Sequence, residues 1–160
     1  MQNKNYITSY LFALLAIFAI GTVNADDHDD VLALLDAYIE TESDLMAQNA
    51  LMSEDRIFII GAPAVRMTDN KTNMMRQMHV NNRSEEMDPN SIYYASREDQ
   101  IVRVYGDAAV ASFRRSLNFL PSAEGMRNGM SNNTTRQLVT VVMAKVNGDW
   151  KIVHTHISPA

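Results

Sequence analysis

The 160-residue sequence has no cysteine, one tryptophan, four prolines and six glycines, and its 14 lysines and arginines are outnumbered by 19 aspartates and glutamates. Without thiols, disulfide frameworks, zinc–thiolate centres and cysteine nucleophiles are excluded. Without a basic surplus there is no electrostatic footprint for a phosphate backbone, so nucleic acid is not an expected partner. Hydrophobic residues at 46% and charged residues at 21% exclude a disordered or collagen-like chain. No internal repeat or low-complexity tract occurs, and the length is that of one domain.

One long apolar run is present, and it lies at the start. Tyr10 to Val23 spans 14 residues after a polar segment holding Lys4, and Val23-Asn24-Ala25 precedes the acidic Asp26-Asp27-His28-Asp29-Asp30. The run falls short of the roughly 20 residues that a membrane-spanning helix needs. Its polar start, apolar middle and small residue before the acidic stretch describe a secretory signal. Residues 1–25 are therefore read as a signal peptide and residues 26–160 as the domain. That places the product in the periplasm or outside the cell, with no stable membrane insertion after cleavage. The acidic cluster at 26–30 is read as the complement of a helix's positive end, left in solvent.

From Asp29 onward, Val31, Leu34, Leu35, Tyr38, Ile39, Glu42 and Leu45 recur at three- and four-residue spacing, which predicts a long amphipathic helix. A helical turn is expected over 50–53, a strand over 56–60 stopped by Gly61 and Pro63, and a short partner strand over 64–67. Asp69 or Thr72 can cap a helix through Met74, Met75, Met78 and His79 that ends in Asn81-Asn82-Arg83, followed by a loop over 84–90. β-branched and aromatic runs then predict strands over 91–105, 108–120, 134–146 and 150–158. Gly106-Asp107 and Asn147-Gly148-Asp149 are hairpin signals, and 121–133 reads as a longer loop. Helices followed by meandering strands indicate an α+β domain with a curved sheet wrapped on the helices.

The closing stretch Gly148-Asp149-Trp150-Lys151-Ile152-Val153-His154-Thr155-His156-Ile157-Ser158 resembles the last strand of SnoaL-like proteins in the nuclear transport factor 2-like superfamily. It is most similar to the association (hub) domain of calcium/calmodulin-dependent protein kinase II. The hairpin from Val102 to Arg115 resembles that family's central hairpin, and the family's pocket arginine falls on Arg115. The resemblance spans about residues 29–158 and implies a cone-shaped fold, with N-terminal helices packed against a curved, mainly antiparallel sheet around an apolar pocket. Thr155 stands where the family has an aromatic residue between two histidines, and there is no kinase domain. Neither calmodulin regulation nor a kinase holoenzyme is therefore implied.

Alternation along 108–120 puts Ala109, Ala111, Phe113, Arg115, Leu117 and Phe119 on one face, with Arg115 as that face's one charge. A buried guanidinium needs a carboxylate or an anion. The alternatives are a structural ion pair with a residue such as Asp99 or Glu98, or a bidentate grip on a ligand carboxylate. On the final strand the same period groups Trp150, Ile152, His154, His156 and Ser158 on one face and Lys151, Val153, Thr155 and Ile157 on the other. The two histidines could be structural or ligand-facing. Zinc would want a third ligand that the sequence does not place, so no metal and no cofactor is assigned. Residues 138–144 are apolar on both faces, one for the helices and one for a second copy of the chain, which predicts a homodimer.

Three functions follow. The first is a small-molecule-binding domain in which Arg115, with Arg136, His154, His156 and Tyr94, holds a small acidic ligand such as a carboxylate. The second is an isomerase, cyclase or dehydratase, with His156, Asp99 or His79 as the base that removes a proton beside a carbonyl. The third is an oligomerisation module alone.

Overall fold

The computed structural model describes residues 25–61 and 65–160. The predicted signal peptide, apart from Ala25, and residue 64 of the short partner strand lie outside the described residues.

The first helix begins earlier than its apolar spacing predicts. α1 is Ala25–Glu40, with Asp26 and Asp27 in its first turn. Those carboxylates complement the helix's positive end, and Asp27 is not a solvated tail residue. Its Oδ1 accepts from Lys145 Nζ at 2.5 Å and from Trp150 Nε1 at 3.3 Å. Val31, Leu34, Leu35, Tyr38 and Ile39 are buried as the amphipathic pattern requires. A 3-10 turn, Thr41–Ser43, breaks the long helix that the spacing carried on through Glu42 and Leu45 and leads into α2, Leu45–Ala50, while the helical turn expected over 50–53 is instead the end of α2 and the start of the first strand. Asp44 explains the shift, because its side chain accepts from the Ala47 backbone N–H at 3.0 Å and caps α2.

α3, Asn70–Met87, starts at the cap foreseen at Asp69, which accepts from Thr72 N at 2.7 Å and Thr72 Oγ1 at 2.9 Å. It runs through Asn81-Asn82-Arg83, where a stop was expected, and through most of the expected loop. Weak helix formers cost only about 0.7 kcal/mol each at most, so a polar stretch on an exposed face does not end a helix. Pro89 does, because it has no N–H and holds Asp88 extended, at φ −152° and ψ 85°.

The strands are β1 (Met52–Ile60), β2 (Val65–Met67), β3 (Ile92–Tyr105), β4 (Ala108–Leu120), β5 (Asn133–Val146) and β6 (Asp149–Pro159). They form one sheet in the order β2-β1-β6-β5-β4-β3, antiparallel throughout except where β1 runs parallel to β6. Gly106 and Gly148 turn the two hairpins at φ +60° and +92°, which glycine adopts without a Cβ clash. A short helix, α4 (Ala123–Arg127), occupies part of the segment expected to be all loop, with Ser122 Oγ accepting from Gly125 N at 3.0 Å.

Ala109, Ala111 and Phe113 of β4 and Val139, Val141 and Met143 of β5 form the inner face, packed with the α1 stripe into one core. The alternation predicted for these two strands holds. That of β6 does not. Met143 pairs with Ile152 and Val142 with His154, so Val153 has no partner on β5. This bulge shifts the side-chain alternation by one residue. Ile152, Thr155 and Ile157 are buried on the inner face, whereas His154, His156 and Ser158 oppose Val142, Thr140 and Leu138 on the outer face. Trp150 and Ile152 therefore do not share a face with the histidines. Among the described residues no helix is long and apolar enough to cross a membrane.

Candidate functional site

Four cationic side chains reach the inner face, each from a different strand: Arg56 on β1, Arg97 on β3, Arg115 on β4 and Lys145 on β5. Three meet carboxylates of α1 and the turn after it. Lys145 pairs with Asp27, Arg97 with Asp36 at 2.6 Å, and Arg115 with Glu42 at 2.9 Å. The last pair is the buried one, its side chains 4% and 10% exposed.

Arg115 Nη1 donates to Glu42 Oε2 at 2.9 Å and to the Tyr38 hydroxyl at 3.3 Å, while Nε and Nη2 donate to Gln137 Oε1 at 3.0 and 2.7 Å. Gln137 is the residue opposite Arg115 in the β4–β5 register, so hairpin pairing supplies the amide. Gln48 Nε2 ties the turn down from the other side, donating to Glu42 Oε2 and to the Tyr38 carbonyl, both at 3.1 Å. Burial works against the Arg115 charge, and Tyr38, Glu42 and Tyr93 more than offset it, holding its pKa above the usual arginine value. Burial, and then the Glu42 charge, pushes the Tyr93 phenol up to about 12, so it stays protonated at neutral pH.

Arg56 is buried as deeply, with no carboxylate within 4 Å among the described residues. Its Nε and Nη2 donate to Thr155 Oγ1 at 3.2 and 3.0 Å, its Nη1 donates to Asn70 Oδ1 at 3.4 Å, and its guanidinium lies 4.9 Å from the Phe58 ring centre. Burial lowers its pKa from the usual arginine value.

A cavity of about 290 Å³ lies beside the Arg115–Glu42 pair. Tyr38, Tyr93 and Gln137 surround the pair in its wall, and the sheet adds Phe58, Ile60, Leu117 and Ile157. α3 contributes Asn73, Arg76, Gln77 and Val80, which the helical repeat places on one face. A wider cleft of about 630 Å³, between the end of α3 and the start of β3, shares Val80, Asn81 and Tyr93 with the cavity.

This arrangement of helices over a curved sheet accords with the comparisons. The family model of the SnoaL-like domain matches residues 31–160. The chain belongs to the SnoaL-like domain family. Solved structures share its fold at low identity. The association domain of CaMKII from C. elegans is 20% identical with a TM-score of 0.56, over 83% of this chain and 92% of that one. An NTF2-like protein with a cystatin-like fold from Novosphingobium aromaticivorans is 13% identical with a TM-score of 0.64, over 98% and 92%. Aln2 from a Streptomyces species is 12% identical with a TM-score of 0.68, over 87% and 94%. No curated protein matches the sequence.

Of the residues named above as ligand holders or bases, this SnoaL-like domain brings Arg115 alone to the cavity. Tyr94, Arg136, His154 and His156 stand on the outer face of the sheet, opposite Asn118, Ser116, Val142 and Thr140 respectively. Their separation from the cavity follows from strand alternation and, for the histidines, from the Val153 bulge. Asp99 sits at a β3 irregularity with φ 54° and pairs with the exposed Arg114 at 2.8 Å, so neither it nor Glu98, which lies opposite Arg114 in the β3–β4 register, is the partner of Arg115. His79 is exposed on α3 and does not line the cavity. The pattern reading passed over Glu42, Gln137, Asn73 and Arg56. A carboxylate at an apolar position of the α1 repeat was the available signal for Glu42, and hairpin register was the signal for Gln137.

Glu42→Gln leaves Arg115 buried without a carboxylate. The expected loss is about 3–5 kcal/mol of unfolding free energy, measured by urea denaturation. His154 has its pKa lowered below 6.5 by partial burial, and then by His156 and Arg56. Its folded form binds protons less readily than its unfolded form, so stability from this ring is present above pH 6.5 and falls as pH drops through the lowered value. A histidine proton titration by NMR should place its midpoint below 6.5.

Proposed function

We propose that the protein is exported to the periplasm or beyond the cell and binds a small amphipathic acid in the cavity beside Arg115. The observation that carries this reading is a cavity lined by apolar sheet residues and by two guanidinium groups, Arg115 and Arg76, against the one carboxylate of Glu42. A net positive lining of low polarity favours an anion with an apolar body. At about 290 Å³ the space lies at the lower end of the roughly 300–1,000 Å³ that small-molecule sites occupy. Arg115 uses four of its five N–H groups within the protein and keeps one on Nη2.

One observation favours an enzymatic second reading. Both hydrogen bonds accepted by Glu42 go to Oε2, and Tyr93, a lasting proton donor, lines the same cavity. A carboxylate base and a phenol donor are the parts needed to remove a proton beside a carbonyl and stabilise the enolate. In that reading the base is Glu42, rather than His156, Asp99 or His79.

Assembly is a further element of the proposal. The outer face of the sheet carries Ile57, Ile101, Val110 and Leu138, each more than a third exposed, and an apolar sheet face of this kind suits a second copy across a two-fold axis. A neighbour of the same fold is named an association domain.

Benzoate and hexanoate at millimolar concentration should raise the melting temperature of the wild-type protein. Failure of every small carboxylate to stabilise the wild type would overturn the binding reading. Light scattering at micromolar concentration should give twice the chain mass; a monomer would remove the dimer.

A further inference from the structure

Asn73 lies in the cavity wall, fully buried. Its Oδ1 accepts from Gln77 Nε2 at 2.9 Å, which orients the amide, and its Nδ2 has no acceptor among the described residues. Among the described residues only one other buried side-chain polar atom, Arg97 Nη1, is in this position. A buried amide donor left without a partner is costly, and native proteins keep few of them. Arg76, one helical turn further along the same face of α3, is exposed and has no carboxylate within 4 Å among the described residues. Arg115, by contrast, has its charge matched by Glu42 and four of its N–H groups engaged.

We infer that α3, not Arg115, supplies the anion-holding end of the cavity: Asn73 Nδ2 donates to a ligand carboxylate oxygen and Arg76 provides the countercharge at the mouth. The inference rests on the ligand-binding reading above and specifies the orientation of the ligand. The acid head faces α3, and the apolar body lies against Phe58, Ile60 and Leu117. The ligand class is a monocarboxylic acid with a compact apolar body. A small inorganic anion would leave the sheet wall unused. In this arrangement Arg115 and Glu42 are a neutral floor for the ligand, and Asn73 selects for an acceptor at the opposite wall.

The probe is benzoate, titrated into the protein by calorimetry. Asn73→Asp preserves the shape and the acceptor for Gln77 but replaces the donor by a negative oxygen, and should weaken benzoate binding by at least about tenfold. Arg76→Gln should weaken it less and abolish most of its salt dependence, because an exposed charge acts through a screened field. Lys71→Gln, on the same helix outside the cavity, should leave the dissociation constant within about twofold. In the wild type the Asn73 side-chain NH2 resonances should move as benzoate saturates, a readout that does not depend on any variant folding. If benzoate binds wild type and Asn73→Asp equally, or the Asn73 resonances stay still at saturation, the α3 assignment falls while the ligand-binding reading stands. If neither benzoate nor hexanoate binds the wild type, both fall.

Discussion

Glu42 and Arg115 can each be buried because the other is. A carboxylate or a guanidinium at this depth is costly unless its hydrogen-bonding groups are met, and for this pair each meets the other, which ties the sheet and the turn after α1 into one register. Tyr38 and Gln137 complete the hydrogen bonding of the guanidinium, and Gln48 completes that of the carboxylate. The more exposed pairs Lys145–Asp27 and Arg97–Asp36 repeat the same logic further along α1. Hydrophobic burial presses the helix onto the sheet, and these charges select where along the sheet it rests.

The cavity follows from that placement. α1 and its turn cover one part of the concave face and α3 another, and side chains do not fill the space between them beside Arg115. What remains is apolar toward the strands and polar toward α3. The family's fold does not dictate any chemistry, and the local side chains give this cavity its character. Arg56 is the counterexample to the pairing rule. It is held by Thr155, Asn70 and the face of Phe58 instead of a carboxylate.

Much of the fold was legible. β4 has the bounds that its residue pattern predicts, the α1 stripe is buried, and Asp69 caps α3. Errors arose where a local rule met a non-local constraint. α3 runs past the polar Asn81-Asn82-Arg83 stretch expected to end it, since nothing before Pro89 forbids a helix. A simple period of two on β6 fails at Val153, an unpaired residue of ordinary β-forming type that carries no bulge signal of its own. That one residue separates His154 and His156 from the cavity. Arg115 was recognisable as a charge on an apolar face, but its partner was sought in β3, the neighbouring strand, where Asp99 is already taken by Arg114.

Local pattern alone determined the kind and order of the main helices and strands, the inner face of β4 and the burial of Arg115, because helical and strand periodicities are properties of neighbouring residues. Only the tertiary structure decided that the carboxylate for Arg115 comes from Glu42, 73 positions away, that the histidines face outward, and that Asn73 is left with an unpaired donor in a cavity wall. Each of these depends on which surfaces packing brings together across the chain, and no short-range spacing encodes that distance.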